Sequence, residues 1–432
     1  MPISPDLSRR EFLAAMARAG VYLNSGWLLA CSSDSIAPDL PGEGELVSNL
    51  GNLGPLGEVN ALMLRLPAGF TAREIAVEGL PPIAGSDYLW HAKPDGGAVF
   101  AAPDGGWVYV SNSEVNTPGG GGVGALRFDA RGELVDAYPI LQGSIKNCAG
   151  GPTPWGTWLS CEEVFNGRVW ECDPFGRLPA RVLPALGTFQ HEGAAVDPLA
   201  RPMHIYMTED QRNDDVLGLP IGGLLYRFVP DAMLPDGRPD LDRGRLEAAQ
   251  AIGWDIHAPR PVRWHPVPIP NPPALGEAEL LPPTRFQVPL ATHFDGGEGI
   301  WYFERKIYFS TKGDDRIWCY DIDAATVQAI YDAASSADNI LHGVDNVVVS
   351  AGGDVLVCED PGDGQVVALT PDGRQVPLLQ LLDSGEPAGP AFSPDGQRMY
   401  ISGYGARSGP QRDRKGGATF EILGPFFRRG PR

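Results

Sequence analysis

The chain has 432 residues, 43% of them hydrophobic, with 55 glycines, 42 prolines and a formal charge of −20. This length and apolar content allow a large core and exclude a disordered chain. Abundant glycine and proline without a collagen period point to many turns and short strands, hence an all-β fold. The acidic excess excludes a nucleic-acid partner and favours cations.

Ser8-Arg9-Arg10-Glu11-Phe12-Leu13, followed by an apolar run, resembles a twin-arginine export signal. The run is interrupted by Arg18, Asn24 and Ser25 and is too short for a stable membrane span. Leu28-Leu29-Ala30-Cys31 resembles a lipobox, which implies a lipid anchor on Cys31. Residues 1–31 are therefore read as a signal, 32–45 as a flexible tether rich in Ser, Asp, Pro and Gly, and 46–432 as the folded domain. The expected location is the periplasm or cell envelope, and the expected state a monomer.

A turn, a strand of about five residues and an acidic end then recur. The copies are Asp104 to Glu114, Pro154 to Glu163, Arg201 to Asp210, Lys306 to Asp314, Gly353 to Asp360 and Pro394 to Ser402. Glu114 to Glu163 is 49 residues, Glu163 to Glu209 is 46 and Thr311 to Glu359 is 48, each the length of a propeller blade. Six copies predict a six-bladed β-propeller. The gap from Asp210 to Lys306 is about twice the repeat, and its proline-rich part, about 255–290, reads as an excursion over one face rather than a seventh blade.

Within the second copy, Asn166-Gly167 signals a two-residue hairpin in which Cys161 faces Cys172, Glu162 faces Glu171 and Glu163 faces Trp170. A disulfide is disfavoured there, because the cysteine pair falls on a hydrogen-bonded position. Loss of Cys31 with the signal leaves five cysteines, an odd count that requires a free thiol. If the acidic strands line the central channel, then Glu114, Glu162 or Glu163, Glu209 or Asp210, and Glu359 or Asp360 converge at one mouth. So many carboxylates cannot all stay ionised without cations, and an oxygen-only ligand set suits calcium.

The ordered set Asn147-Cys148-Ala149-Gly150-Gly151, Trp155-Gly156-Thr157-Trp158, Cys161-Glu162-Glu163, Gln190-His191-Glu192-Gly193, Tyr206 to Asp210 and Ala388 to Gly396 resembles the PhoX family of alkaline phosphatases. The resemblance implies a six-bladed propeller, hydrolysis of small phosphomonoesters, and a mixed Fe3+ and Ca2+ cluster at the channel mouth. Matched position by position, it implies iron ligands at Cys148, Glu163, Glu192 and Glu298 and calcium ligands at Glu209 and Asp210. A thiolate at Cys148 is a soft donor that suits iron, and His191 is expected to orient Glu192 by hydrogen bonding. The family's phosphate-holding arginine falls on Gly296, so Arg212, Arg305, Lys146 or Lys312 is expected to replace it. Two other readings stand beside this one. The first is a non-catalytic, calcium-stabilised binding propeller. The second is a calcium-dependent lactonase-like hydrolase, which has no use for Cys148 as a ligand.

Overall fold

The computed structural model describes residues 46–213, 221–273, 282–336, 340–360, 362–382, 385–405 and 416–429. The readings of Arg9, Arg10, Cys31 and the tether lie outside the described residues. The described chain is almost wholly strand and turn, with three single-turn 3-10 helices. No described helix is long and apolar enough to cross a membrane.

The strands form six antiparallel meanders. The first begins with Pro94–Ala101 and Trp107–Ser113, the second with Asn147–Pro152 and Trp158–Glu162, and the third with His191–Asp197 and His204–Glu209. The fourth begins with Gly297–Phe303 and Lys306–Thr311, the fifth with Val344–Val349 and Val355–Glu359, and the sixth with Pro387–Phe392 and Arg398–Gly403. The sixth is completed by Thr71–Val77 from the N-terminal side, which pairs with Ala418–Leu423 and so ties the two ends of the domain together. Arg260–Pro266, from the proline-rich region, pairs with the third meander and also with Thr326–Asp332 of the fourth, joining the two into one sheet.

The first strands neighbour one another around a closed ring, the last touching the first, which makes the arrangement propeller-like. The core follows the same ring. Each hydrophobic cluster lies between two successive meanders: Val110 with Trp158, Leu159 with Tyr226, Tyr206 with Phe309, Ile317 with Val357, Leu356 with Ile401, and Tyr400 with Tyr109. Both faces of a sheet are thus covered, which is why Trp107–Ser113 and Val355–Glu359 are buried along their whole length instead of alternating. Each large side chain buried this way contributes about 1.5–3 kcal/mol.

Two expectations are corrected. The strands with acidic ends are the second strands of their meanders, not the channel-lining first ones; antiparallel pairing still brings their ends to the mouth where the first strands begin. In the second meander the register is shifted by three from a two-residue hairpin, with Cys161 opposite Val169 and Glu171 opposite Leu159. Gly167 is there for close approach: a Cβ on it would lie 1.8 Å from the Glu162 carbonyl oxygen. Cys161 and Cys172 are consequently apart, and both are free and buried, as are Cys148, Cys319 and Cys358.

Candidate active site at the channel mouth

Every first strand carries a β-bulge next to its start, where two residues oppose one on the second strand. A bulge re-aims a side chain, and in five meanders the re-aimed residue is Asp95, Cys148, Glu192, Glu298 or Asp345. All five are nearly or fully buried. In the sixth the bulge falls on Gly389-Pro390, which offers no ligand. In three meanders the residue opposite the bulge then clamps the next meander. Asn112 Nδ2 donates to the Cys148 and Ala149 carbonyls at 3.0 and 2.7 Å. Thr208 Oγ1 donates to the Glu298 carbonyl at 2.5 Å, and Ser310 Oγ to that of Asp345.

Around this inner ring lies a rim, formed by the residue that follows each second strand: Glu114, Glu163, Asp210, Lys312, Asp360 and, in the sixth meander, Tyr404. Potential ligand atoms of Glu114, Cys148 and Glu163 lie within 4.8 Å of one another, as do those of Glu192, Glu298 and Asp345, and those of Asp345, Asp360 and Glu386. These acidic groups could hold metal.

The adjacent carboxylate pairs divide their labour. Glu162 accepts backbone N–H groups of Ile145 and Arg168 at 3.4 and 3.1 Å. Glu359 accepts those of His342, Asp363 and Gln365, each at 3.0 Å. Glu209, fully buried, accepts from Arg285 Nη1 at 2.6 Å, Tyr226 Oη at 2.9 Å and Leu224 N at 3.2 Å. Each is spent on its own loop or on the proline-rich region, so the oxygens of Glu209 and Glu359, expected as metal ligands, are turned to protein donors. The second member of each pair, Glu163, Asp210 or Asp360, belongs to the rim.

Glu192 is the opposite case. It is 0% exposed, and neither carboxylate oxygen has a partner among the described residues. His191 does not orient it: Nε2 meets the Gly187 carbonyl at 3.1 Å, the ring stacks on Phe189, and burial lowers its pKa to about 3. Burial raises the Glu192 carboxyl well above the carboxylate range, and Glu298 and Glu163 raise it further. Burial likewise raises Glu298, with Asp210 and Asp345 adding to it, and Asp95, with Glu114 and Asp345 adding. Glu163 is pushed to about 8 by burial and by Asp210. The Cys148 thiol, whose Sγ lies 3.7 Å from Asp95 Oδ2, is raised by burial and then by Asp95 and Glu192. Without cations the ring's surroundings favour bound protons, and two buried oxygens of Glu192 plus Asp210 Oδ1 have no partner among the described residues. A cation satisfies both deficits.

The expected cationic residues separate clearly. Arg305 is corrected: it sits in the turn at the far end of Gly297–Phe303, away from the mouth, bound to Asp197 and Asp323. Lys146 Nζ lies 2.6 Å from Glu163 and 3.5 Å from Glu114, on the rim. Lys312 Nζ lies 2.8 Å from Asp345, also touches Asp360, and is 4.0 Å from Glu298. Arg212 is exposed beside Asp210 and makes no side-chain hydrogen bond or ion pair with a described residue.

A sequence model of the family described as Alkaline phosphatase PhoX matches residues 111–178, 166–331 and 317–405, well over half the chain. The chain belongs to the PhoX alkaline phosphatase family. Among solved structures, "Pseudomonas fluorescens PhoX in complex with vanadate, a transition state analogue" superposes with a TM-score of 0.69 at 16% identity, covering 88% of this chain and 98% of that one. A Bacteroides thetaiotaomicron protein of unknown function gives 0.49 at 8% identity, over 82% and 76%. No curated protein sequence matches.

PhoX membership makes the chain a phosphoric monoester hydrolase and draws attention to Gly296, where the resemblance implied an arginine. Gly296 has φ +72°, a conformation that disfavours side chains, and a Cβ built on it would lie 2.9 Å from both Cδ and Nε of Arg212. Arg212 thus lies across the space that a side chain at 296 would enter. Its loop is fixed by backbone bonds from Gly296 N to the Gln211 carbonyl and from Lys312 N to the Gly296 carbonyl, at 2.8 and 2.9 Å. Asp95, Asp345 and Glu386 were missed by the search for acidic strand ends. The signal lay one strand earlier, in the likeness of Pro94-Asp95-Gly96 to His191-Glu192-Gly193 and Gly297-Glu298-Gly299.

Proposed function

We propose that this chain is a metal-dependent phosphomonoesterase of the cell envelope. The ions would be held by Cys148, Glu163, Glu192 and Glu298 together with Asp95, Asp210 and Asp345. The observation that carries the reading is Glu192, a fully buried carboxylate with both oxygens unpartnered, in a chain of a phosphatase family. The donor set argues for Fe3+ at the Cys148 side, where a thiolate is available, and for Ca2+ among the carboxylates. Bound there, the ions would neutralise the phosphate dianion and polarise its phosphorus.

The chain's own residues supply the rest. Arg212, a planar donor with no competing partner described, would hold two phosphate oxygens in a fork and stabilise charge on the transferring group. Asp210 lies close enough to feel its charge. Lys146, bound to Glu114 and Glu163, lowers the negative potential that would otherwise repel an anionic substrate. The six-blade count is our reading of the six meanders. Export by the twin-arginine route suits a chain whose site must fold and load before crossing the membrane, and Cys31 would then tether it.

The test is hydrolysis of p-nitrophenyl phosphate by the purified protein, before and after chelation and after return of calcium and iron. Activity lost on chelation and regained with the ions is expected; activity indifferent to chelation would refute metal dependence.

A further inference from the structure

Of the six rim positions, four carry a carboxylate, one a phenol (Tyr404) and one an ammonium group. The last, Lys312, follows Lys306–Thr311 just as Glu114, Glu163, Asp210 and Asp360 follow their own second strands. Its side chain is only 12% exposed, and its Nζ stands inside the acidic group of Asp345, Asp360 and Glu386. It lies 2.8 Å from Asp345 Oδ2, touches Asp360 Oδ2 and reaches Glu298 Oε1 at 4.0 Å. Next to this group, and sharing Asp345 with it, lies the group of Glu192, Glu298 and Asp345, where Glu192 has no partner for either oxygen. Two neighbouring acidic groups thus differ in how far the chain supplies a cation: Lys312 binds Asp345 and Asp360 directly, but reaches the Glu192 group only through the shared Asp345 and, at 4.0 Å, Glu298.

We infer that Lys312 is a resident cation standing where a divalent ion would otherwise bind between Asp345, Asp360 and Glu386, so that the metal complement stops at the Glu192 side of Asp345. The inference rests on the metal reading above. The physical case is charge and reach. An ammonium group supplies one positive charge and three donors, enough to bind Asp345 and Asp360 directly, but it cannot exchange with solvent ions. It also fixes Oδ2 of Asp345, while Oδ1 accepts from Asn346 Nδ2 at 2.9 Å, so the carboxylate shared with the Glu192 group is held in place. Replacing the ammonium by an uncharged chain leaves Asp345, Asp360 and Glu386 mutually repelling, a deficit that a hard divalent cation relieves.

The test is the number of ions held per chain, measured by elemental analysis after equilibrium dialysis against calcium, for the wild type, K312M and the double variant K312M/D360N. K312M is expected to hold one more calcium than the wild type, and the double variant to return to the wild-type number. Calcium at 1 mM should also raise the Tm of K312M more than that of the wild type. An unchanged count in K312M, or an added ion that survives D360N, would overturn the inference. Should K312M not fold, Lys312→Gln removes the charge while keeping a donor for Asp345 and is read in the same way. If the wild type holds no ion, the metal reading fails by itself. A single ion gained by K312M would then still support the role of Lys312, and no gain would refute both.

Discussion

Glu192 and Glu209 are both fully buried glutamates, one beginning a first strand and the other ending the second strand paired to it, yet their surroundings are opposite. Glu209 has Arg285, Tyr226 and Leu224 on its oxygens, whereas Glu192 has no partner among the described residues. A buried carboxylate is tolerable when its charge and lone pairs are matched. Glu209 is matched by the chain, at the cost of an excursion that places Arg285. Glu192 is matched only if something outside the chain enters. Completeness of partners, more than burial or acidity, separates the structural acid from the functional one.

The comparison breaks most visibly at Arg285. Arg285→Met leaves Glu209 buried and unpaired and should destabilise the protein by about 3–5 kcal/mol in urea unfolding, with or without calcium. A loss that calcium restores would mean that Glu209 belongs to the metal site after all. Glu192→Gln should act in the reverse direction in chelated protein at pH 9, raising stability by about 1 kcal/mol or more through removal of one of several repelling charges. A fall of several kcal/mol there would show that Glu192 has a structural partner.

Burial raises the Glu209 carboxyl as well, so the mouth differs in pH dependence by the number of raised groups it gathers. Glu163 has its carboxyl raised from an ordinary 4.5 to about 8 by burial and Asp210, and burial raises Glu192, Glu298 and Asp95 in the same direction. The folded chain therefore binds protons that the unfolded chain releases between those values. The stability this contributes is full below pH 4.5 and disappears as pH rises through 8. Chelated protein should lose Tm steadily from pH 5 to 9, and calcium should flatten or reverse the slope by replacing the protons. A chelated Tm that rises over this range would contradict the sign.

The smaller effects concern the arginines. Arg212→Ala should lower kcat/KM for p-nitrophenyl phosphate about 100-fold, with Arg212→Lys between it and the wild type. Arg305→Ala, far from the mouth, should leave kcat/KM within about twofold. Equal losses in both would deny Arg212 contact with the phosphate.

Much of this was legible in the sequence because repetition exposes it. The 49-, 46- and 48-residue spacings marked the repeat, and Cys148, Glu163, Glu192, Asp210 and Glu298 do meet at the mouth. What was not legible depends on which of two adjacent side chains faces inward. Glu209 and Asp210 are equally acidic as letters; only the return of Arg285 from a segment some 75 residues away decides between them. Asp95 and Asp345 escaped because a bulge, invisible in composition, turns them inward. The hairpin register failed for a related reason: Asn166-Gly167 suits a tight turn, but Gly167 was needed for the approach of the Glu162 carbonyl.

The most direct measurement is the metal content of wild type and Glu192→Gln, purified identically from the native host and compared with their phosphatase activity. The wild type should carry calcium and iron in fixed ratio to protein, and Glu192→Gln should lose bound metal and activity together while keeping its circular dichroism. Equal metal content in the two, or a fully active variant, would contradict the claim that the unpartnered carboxylate is there for a cation.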